Sequence, residues 1–316
     1  MDGQTVAIIG TGNTGGSWAG LFAAHGWAVR LYDTRAGAAE AALERAASAA
    51  RFLVAKGLAE PGAAEHGLAA LATTADVPEA VTGARLVQEC VPEDLAVKQA
   101  VFAAISRAAP AECLIATSSS GLSISAIQQE ARLPGRTLAA HPYNPPHLVP
   151  LVEVAAGLLT EEAAVERAVA IYTSLGKVPM VVSGDVPGYI ANRMSAALWR
   201  EAIELVRSGV ATVQDVDRAV RYGPGLRWAV MGPHLIYHLG GGETGIRGHM
   251  AHLTGTKEGM LRDLAAWTTF PPDTADVLAD GVEAEAGGRS LEDLERERDE
   301  ALASILLALG AWKGAR

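Results

Sequence analysis

The tightest constraint on this chain lies between Thr5 and Asp33. The apolar run Thr5-Val6-Ala7-Ile8-Ile9 leads into Gly10-Thr11-Gly12-Asn13-Thr14-Gly15-Gly16, and an apolar helical stretch follows from Ser17 to about His25. A second run, Ala28-Val29-Arg30-Leu31-Tyr32, closes on Asp33. Short apolar runs of this kind read as buried parallel strands. A G-x-G-x-x-G segment after a strand, opening a helix, with an acid closing the next strand, is the fingerprint of a dinucleotide cradle. Gly10 allows the tight turn, Gly12 lets the backbone approach a pyrophosphate, and Gly15 lets the helix lie close to the strand. Asn13 and Thr14 open the helix, whose first amides are free to face the phosphates. Asp33 can accept hydrogen bonds from a ribose 2′-hydroxyl and would repel a 2′-phosphate, so NAD is expected over NADP. Arg35 is the residue that could serve a 2′-phosphate instead.

The amino-terminal half continues as strands alternating with helices. A long Ala-rich helix over about 36–56 breaks at Gly57 to Gly67, where Pro61-Gly62 predicts a helical hairpin. Strands follow near 71–73, 85–91 and 114–116, with Pro92-Glu93-Asp94 capping a helix that runs through Lys98. A further strand spans 136–140, with His141 at its carboxyl end, and a helix over about 161–175 precedes a strand over 178–182. This alternation predicts an α/β fold with a Rossmann-type, doubly wound parallel sheet. Such sheets bind ligands at the carboxyl ends of their strands. Glu89, Glu93 and Ser118-Ser119-Ser120 fall there, although serines after a strand also serve as helix caps.

The stretch from His141 through Pro142-Tyr143-Asn144-Pro145-Pro146 to Leu151-Val152-Glu153-Val154 carries the most chemistry. Prolines turn the chain between two apolar strands, and a glutamate interrupts the second. A carboxylate in an apolar strand is costly to bury without a partner. If the chain folds back at the prolines, His141 is that partner, and the pair would hold the imidazole in one tautomer as a general base. The competing reading is a core histidine and an edge-strand glutamate without chemistry.

Beyond Ser183-Gly184-Asp185-Val186-Pro187-Gly188 the pattern is helical. The expected division is 1–184 for a dinucleotide domain and 185–316 for an all-helical domain. The first helix of the second half carries Asn192, Arg193 and Trp199. Tyr222 to Trp228 reads as a turn bearing Arg227, and Leu291 to Trp312 as a long charged-then-apolar segment. Helices that cannot bury all their apolar faces point to a homodimer.

A net charge of −10 argues against nucleic acid or an anionic membrane as partner. Cys90 and Cys113 sit in apolar runs and read as buried free thiols, and no Cys/His cluster has metal-ligand spacing, so no metal is expected. No run reaches the length of a membrane span and no signal peptide precedes the first strand, so the expected location is cytoplasmic.

Together these segments resemble the L-3-hydroxyacyl-CoA dehydrogenase superfamily over nearly the whole chain. The matching pieces are the Gly10–Gly15 loop with Asp33, Glu89 with Lys98, Ser120, His141-Pro-Tyr-Asn144-Pro, Leu-Val-Glu153-Val and Pro187-Gly188-Tyr-Ile-Ala-Asn192-Arg193. The resemblance implies an NAD-dependent oxidoreductase. It places the general base on His141 and its orienting carboxylate on Glu153, with Ser120 and Asn192 on the reacting oxygen. Glu89, Glu93, Lys98, Ser118 and Asn144 join the loop glycines, Asn13, Thr14 and Asp33 as expected NAD contacts.

Two segments resemble one branch, that of lambda-crystallin, L-gulonate 3-dehydrogenase and L-carnitine dehydrogenase. They are His-Pro-Tyr-Asn-Pro-Pro, and Gly-Leu-Arg227-Trp228-Ala-Val-Met-Gly-Pro ahead of Tyr237-His-Leu-Gly-Gly-Gly. CoA-using members of the superfamily carry a shorter segment at the second place, without the arginine. A guanidinium suits a free carboxylate. Tyr143, Trp199, Trp228 and Tyr237 offer ring faces that attract a quaternary ammonium. The plainer readings are an ion-pair or capping role for Arg227 and core packing for the aromatics. The expected reaction is NAD-dependent oxidation of the 3-hydroxyl of a small free L-3-hydroxy acid, carnitine-like or gulonate-like. Ser120, Tyr143, Asn192, Trp199, Arg227 and Trp228 are the expected substrate residues. The alternatives are a short-chain (S)-3-hydroxyacyl-CoA dehydrogenase and a non-catalytic, crystallin-like NAD-binding protein.

Overall fold

Apolar runs of four to six residues without room for water on either side form a sheet buried on both faces. In the computed structural model, which describes residues 4–310, eight strands of three to six residues make one sheet, most fully buried along its centre. They are β1 (Thr5–Ile9), β2 (Ala28–Tyr32), β3 (Leu71–Thr73), β4 (Leu86–Glu89), β5 (Leu114–Thr117), β6 (Thr137–Pro142), β7 (Leu151–Ala156) and β8 (Val178–Val182), in the spatial order β3-β2-β1-β4-β5-β6-β7-β8. The pairs from β3 to β6 are parallel, β7 is antiparallel to β6, and β8 is parallel to β7. The sheet is therefore mostly parallel. The reversal arises because the link from Pro142 to Leu151 holds no helix and is too short for a parallel crossover, which takes roughly a dozen residues or more.

Helices α1 (Asn13–Ala24), α2 (Ala38–Ala55), α3 (Pro61–Ala69), α4 (Val77–Val81), α5 (Leu95–Ala108), α6 (Ile124–Ile127) and α7 (Glu162–Ser174) belong to the same unit. Alternate strand residues face opposite layers. Val6, Ile8, Val29 and Leu31 bury with Trp18 and Phe22 of α1 and Leu53 of α2. Ala7, Ile9, Val87 and Ile115 bury with Phe102 and Ile105 of α5. Asp94 starts α5 by accepting the Val97 N–H, and Ser123 starts α6 by accepting the Ala126 N–H.

The remaining helices are α8 (Ala191–Arg207), α9 (Val213–Tyr222), α10 (Pro224–Val230), α11 (Pro233–Gly240), α12 (Gly245–Asp263), α13 (Thr274–Ala286) and α14 (Leu291–Leu309). The segment expected as a turn at Tyr222 to Trp228 is instead mostly α10. Pro224 supplies a preset first helical residue and lacks only an amide that would be unpaired there. Residues 311 and 312 of the expected carboxy-terminal segment lie outside the described residues.

Two compact units emerge: Arg193–Arg298, and the residues up to Asn192 together with those from Asp299 onward. The division differs from the expected 184/185 at both ends. The turn after Val182 stays with the sheet through hydrogen bonds to Ser120 and Glu153, and the end of α14 returns because Ala303 and Leu306 bury in the sheet unit's core. The Arg193–Arg298 unit is held by Arg207 bridging Glu204 and Asp273, by Trp267 donating to Glu204, and by the Trp199–Phe270 and Trp267–Phe270 ring contacts. It leaves Leu226, Leu235, Leu239, Met260, Leu261 and Phe270 exposed. Among the described residues no helix is long and apolar enough to cross a membrane.

Candidate active site

His141 and Glu153 are direct cross-strand partners in the β6–β7 register. His141 is 4% exposed and Glu153 fully buried. The imidazole Nδ1 lies 2.9 Å from Glu153 Oε2, while Oε1 accepts the Ile190 and Ala191 N–H groups at 2.8 and 2.9 Å. Those amides stand at the start of α8, so a helix terminus and a histidine share one carboxylate. A carboxylate only accepts, which puts the proton on Nδ1 and leaves the Nε2 lone pair free. Ser120 Oγ is 3.0 Å and Asn192 Nδ2 3.4 Å from that Nε2. The structure thus brings together all four residues expected to carry the chemistry, with Ser120 open to solvent.

Ser120 is placed by Glu93, whose Oε1 accepts the Ser119 hydroxyl at 2.6 Å and the Gly121 and Leu122 N–H groups at 2.8 and 3.1 Å. Burial acts to raise the Glu93 carboxyl, but these donors and the Lys98 ammonium outweigh it and hold it below the usual range. Gly188 N–H donates to the Ser120 carbonyl at 3.1 Å, and Asp185 accepts from Ser123 Oγ and the Ser125 N–H. Ser118 Oγ accepts from Gln88 Nε2 at 2.7 Å, and Gln88 in turn accepts from Tyr172. Of the three serines expected as ligands or caps, Ser118 and Ser119 are held inside the protein's own network and Ser120 faces His141.

Glu89 and Lys98 lie below this surface. Lys98 Nζ, 1% exposed, donates to Glu89 Oε1 at 2.8 Å and the Val91 carbonyl at 3.0 Å, with Glu93 Oε2 at 3.7 Å. Thr117 Oγ1 donates to Glu89 Oε2 at 2.5 Å. Burial pushes the Glu89 carboxyl up, opposed by Lys98 and the other donors. This pair braces the carboxyl ends of β4 and β5 from within. Glu89 and Lys98 were expected as NAD contacts; here both are buried and engage each other.

The expected cofactor cradle suits a dinucleotide on its own geometry. Gly10 has φ +90°, and a Cβ there would sit 2.7 Å from the Cys90 carbonyl group. A Cβ on Gly15 would come within 2.1 Å of the Gly10 oxygen, whereas one on Gly12 would meet nothing. The loop is therefore closed beneath Gly10 and Gly15 and open above Gly12. Among the described residues no side chain caps α1, so its first amides, at Asn13 and Thr14, are left for a ligand. Asp33 accepts from Thr11 N–H at 2.8 Å and Thr11 Oγ1 at 3.0 Å, and from the Arg35 guanidinium. Burial works to raise the Asp33 carboxyl, but those hydrogen bonds hold it well below the carboxylate range. Arg35, the residue expected to favour a 2′-phosphate, is engaged by Asp33. Asn144, in the turn after β6, is exposed, and Tyr143 is half-buried.

Within the second unit, Trp199 stacks edge-on to Phe270 at 5.6 Å, and Trp228 is 37% exposed on α10. The Arg227 guanidinium is exposed and makes no hydrogen bond or ion pair among the described residues. Tyr237 lies against His249 at 4.9 Å, with Lys257 over its ring. Cys90 and Cys113 are free thiols that burial pushes up to about 12. No group of three His, Cys, Asp or Glu able to hold a metal occurs among the described residues.

A dinucleotide cradle of this form, with a histidine–carboxylate pair at the carboxyl end of its sheet, defines an NAD-dependent dehydrogenase. Residues 5–186 match the model of the 3-hydroxyacyl-CoA dehydrogenase NAD-binding domain, and residues 188–276 that of its C-terminal domain. The chain belongs to the 3-hydroxyacyl-CoA dehydrogenase family and is an NAD-dependent oxidoreductase. It is 42% identical over 314 residues to an L-carnitine dehydrogenase of Streptomyces griseus subsp. griseus, covering 98% of this chain and 91% of that protein. It is 38% identical over 313 residues to an L-carnitine dehydrogenase of Bacillus cereus, covering 99% and 94%. Among solved structures, an NAD-dependent dismutase, 5-formyl-3-hydroxy-2-methylpyridine-4-carboxylic acid 5-dehydrogenase, superposes with a TM-score of 0.83 at 30% identity, covering 98% of this chain and 99% of that one.

Proposed function

We propose that the protein oxidises the 3-hydroxyl of a small free L-3-hydroxy acid, carnitine-like in the first place, to the 3-keto acid. The observation that carries the chemistry is the Ser120–His141–Glu153 chain of hydrogen bonds, at 3.0 and 2.9 Å, with Asn192 beside the same imidazole nitrogen. His141 Nε2 takes the hydroxyl proton, and Glu153 stabilises the imidazolium that forms. Ser120 Oγ and Asn192 Nδ2 hold the reacting oxygen and offset its developing charge. NAD, when bound, supplies the hydride acceptor; Gly12, the α1 amides and Asp33 are the residues that would hold it.

Support for a free acid comes from the relatives named L-carnitine dehydrogenase. His141→Ala tests the assignment. Turnover is expected to fall by roughly 10²–10⁴-fold while NADH binding, followed by fluorescence, is retained. Equal loss of both would make His141 structural and defeat the reading.

A further inference from the structure

We propose that Tyr189 is a positioning residue for the His141–Glu153 pair, acting through its ring and through the left-handed turn it forms with Gly188. It rests on the reading of that pair as the base and its orienting carboxylate.

Gly188 and Tyr189 have φ of +75° and +45° in succession. A glycine meets that demand without strain; a tyrosine does not. The turn aims the next two amides, of Ile190 and Ala191, at the one Glu153 oxygen that His141 does not use. Successive N–H groups turned toward one anion form a nest. Gly188 N–H also holds the Ser120 carbonyl, and Asn192 follows at the start of α8. One short turn therefore touches or leads to every residue of the site.

The ring explains why tyrosine, not glycine, stands at the strained position. Its centroid lies 5.2 Å from that of the His141 imidazole, with planes at 31°, and the residue is 2% exposed. It covers one face of the imidazole and limits rotation that would take Nδ1 off Glu153 and Nε2 off Ser120. It also keeps water from the Nδ1–Glu153 bond, which strengthens that bond in a low-dielectric setting. Among the described residues the Tyr189 hydroxyl has no hydrogen-bond partner. The ring face and the backbone carry the role, and the hydroxyl is dispensable to it.

The test compares Tyr189→Gly, Tyr189→Leu and Tyr189→Phe in the full-length protein. Two readouts are used: steady-state kinetics, and the downfield NMR resonance of the His141 Nδ1 proton, which needs no turnover. Tyr189→Gly is expected to lower kcat by roughly tenfold or more with KM for NAD changed less than about threefold, and to broaden or remove the Nδ1 resonance. Tyr189→Leu refills the space without a flat ring and is expected to behave likewise if the glycine variant does not fold. Tyr189→Phe is expected to rescue both readouts. A folded Gly or Leu variant with wild-type kcat and an intact resonance would overturn the proposal, and so would Tyr189→Phe failing as the glycine variant does. Wild-type protein inactive on every 3-hydroxy acid, with the resonance lost in Tyr189→Gly and kept in Tyr189→Phe, would count against the base assignment and still support the positioning role.

Discussion

His141 and Glu153 stand opposite each other in the antiparallel β6–β7 pair, so the 2.9 Å bond between Nδ1 and Oε2 is fixed by backbone register as well as by rotamers. A one-residue slip would carry Glu153 to the other face of the sheet and separate them. The second Glu153 oxygen is saturated by two amides, which leaves the carboxylate one way to face the ring.

Glu153→Gln follows from this arrangement. If the amide oxygen keeps the two backbone donors, its NH2 meets Nδ1 and forces the proton to Nε2, the wrong tautomer for a base. If the side chain flips, the NH2 faces two N–H donors. Either way kcat is expected to fall by roughly 10²-fold or more, measured by NADH formation. Activity within a few-fold of wild type would show that Glu153 does not set the tautomer.

Gly12 and Gly15 should separate binding from folding. A Cβ on Gly15 collides with the Gly10 oxygen, so Gly15→Ala is expected to destabilise the protein by about 1–3 kcal/mol, read as a lowered melting temperature. A Cβ on Gly12 meets nothing, so Gly12→Ala should melt like wild type but bind NADH on the order of tenfold more weakly, about 1.4 kcal/mol. A Gly12→Ala protein with unchanged affinity would argue that the pyrophosphate lies elsewhere.

Lys177 gives the alkaline side of the stability profile. It is 3% exposed, donates to the Pro146 and Val149 carbonyls, and lies over the Trp18 ring. Burial lowers its ammonium from 10.5 to about 7. Between those values the unfolded chain holds the proton and the folded chain does not, so stability rises with pH across that window. Wild type should therefore gain stability relative to Lys177→Met from about pH 7 upward, measured by urea unfolding. Parallel profiles would contradict the lowered value.

Much of this was legible in the residues. The glycine loop and Asp33 announce the cradle, and the prolines between His141 and Glu153 announce the fold-back that pairs them. That fold-back is the reversal of β7, which departs from the all-parallel order that alternation of strands and helices predicts. The resemblance singled out Glu89 and Lys98, but as NAD contacts; a helix pattern does not reveal that the Lys98 ammonium is buried against Glu89. Tyr189 was opaque for another reason: composition marks a left-handed position only when glycine fills it, and here a tyrosine does. The pull of the α14 end back to the sheet unit likewise depends on Ala303 and Leu306 finding a distant core.

The most direct test is NADH formation by the purified wild-type protein at alkaline pH, with L-carnitine, L-gulonate, free L-3-hydroxybutyrate and L-3-hydroxybutyryl-CoA offered in parallel. Turnover of a free acid, L-carnitine foremost, with none of the thioester is the result expected. Turnover of the thioester alone would contradict the free-acid reading and the assignment of Arg227 to a substrate carboxylate.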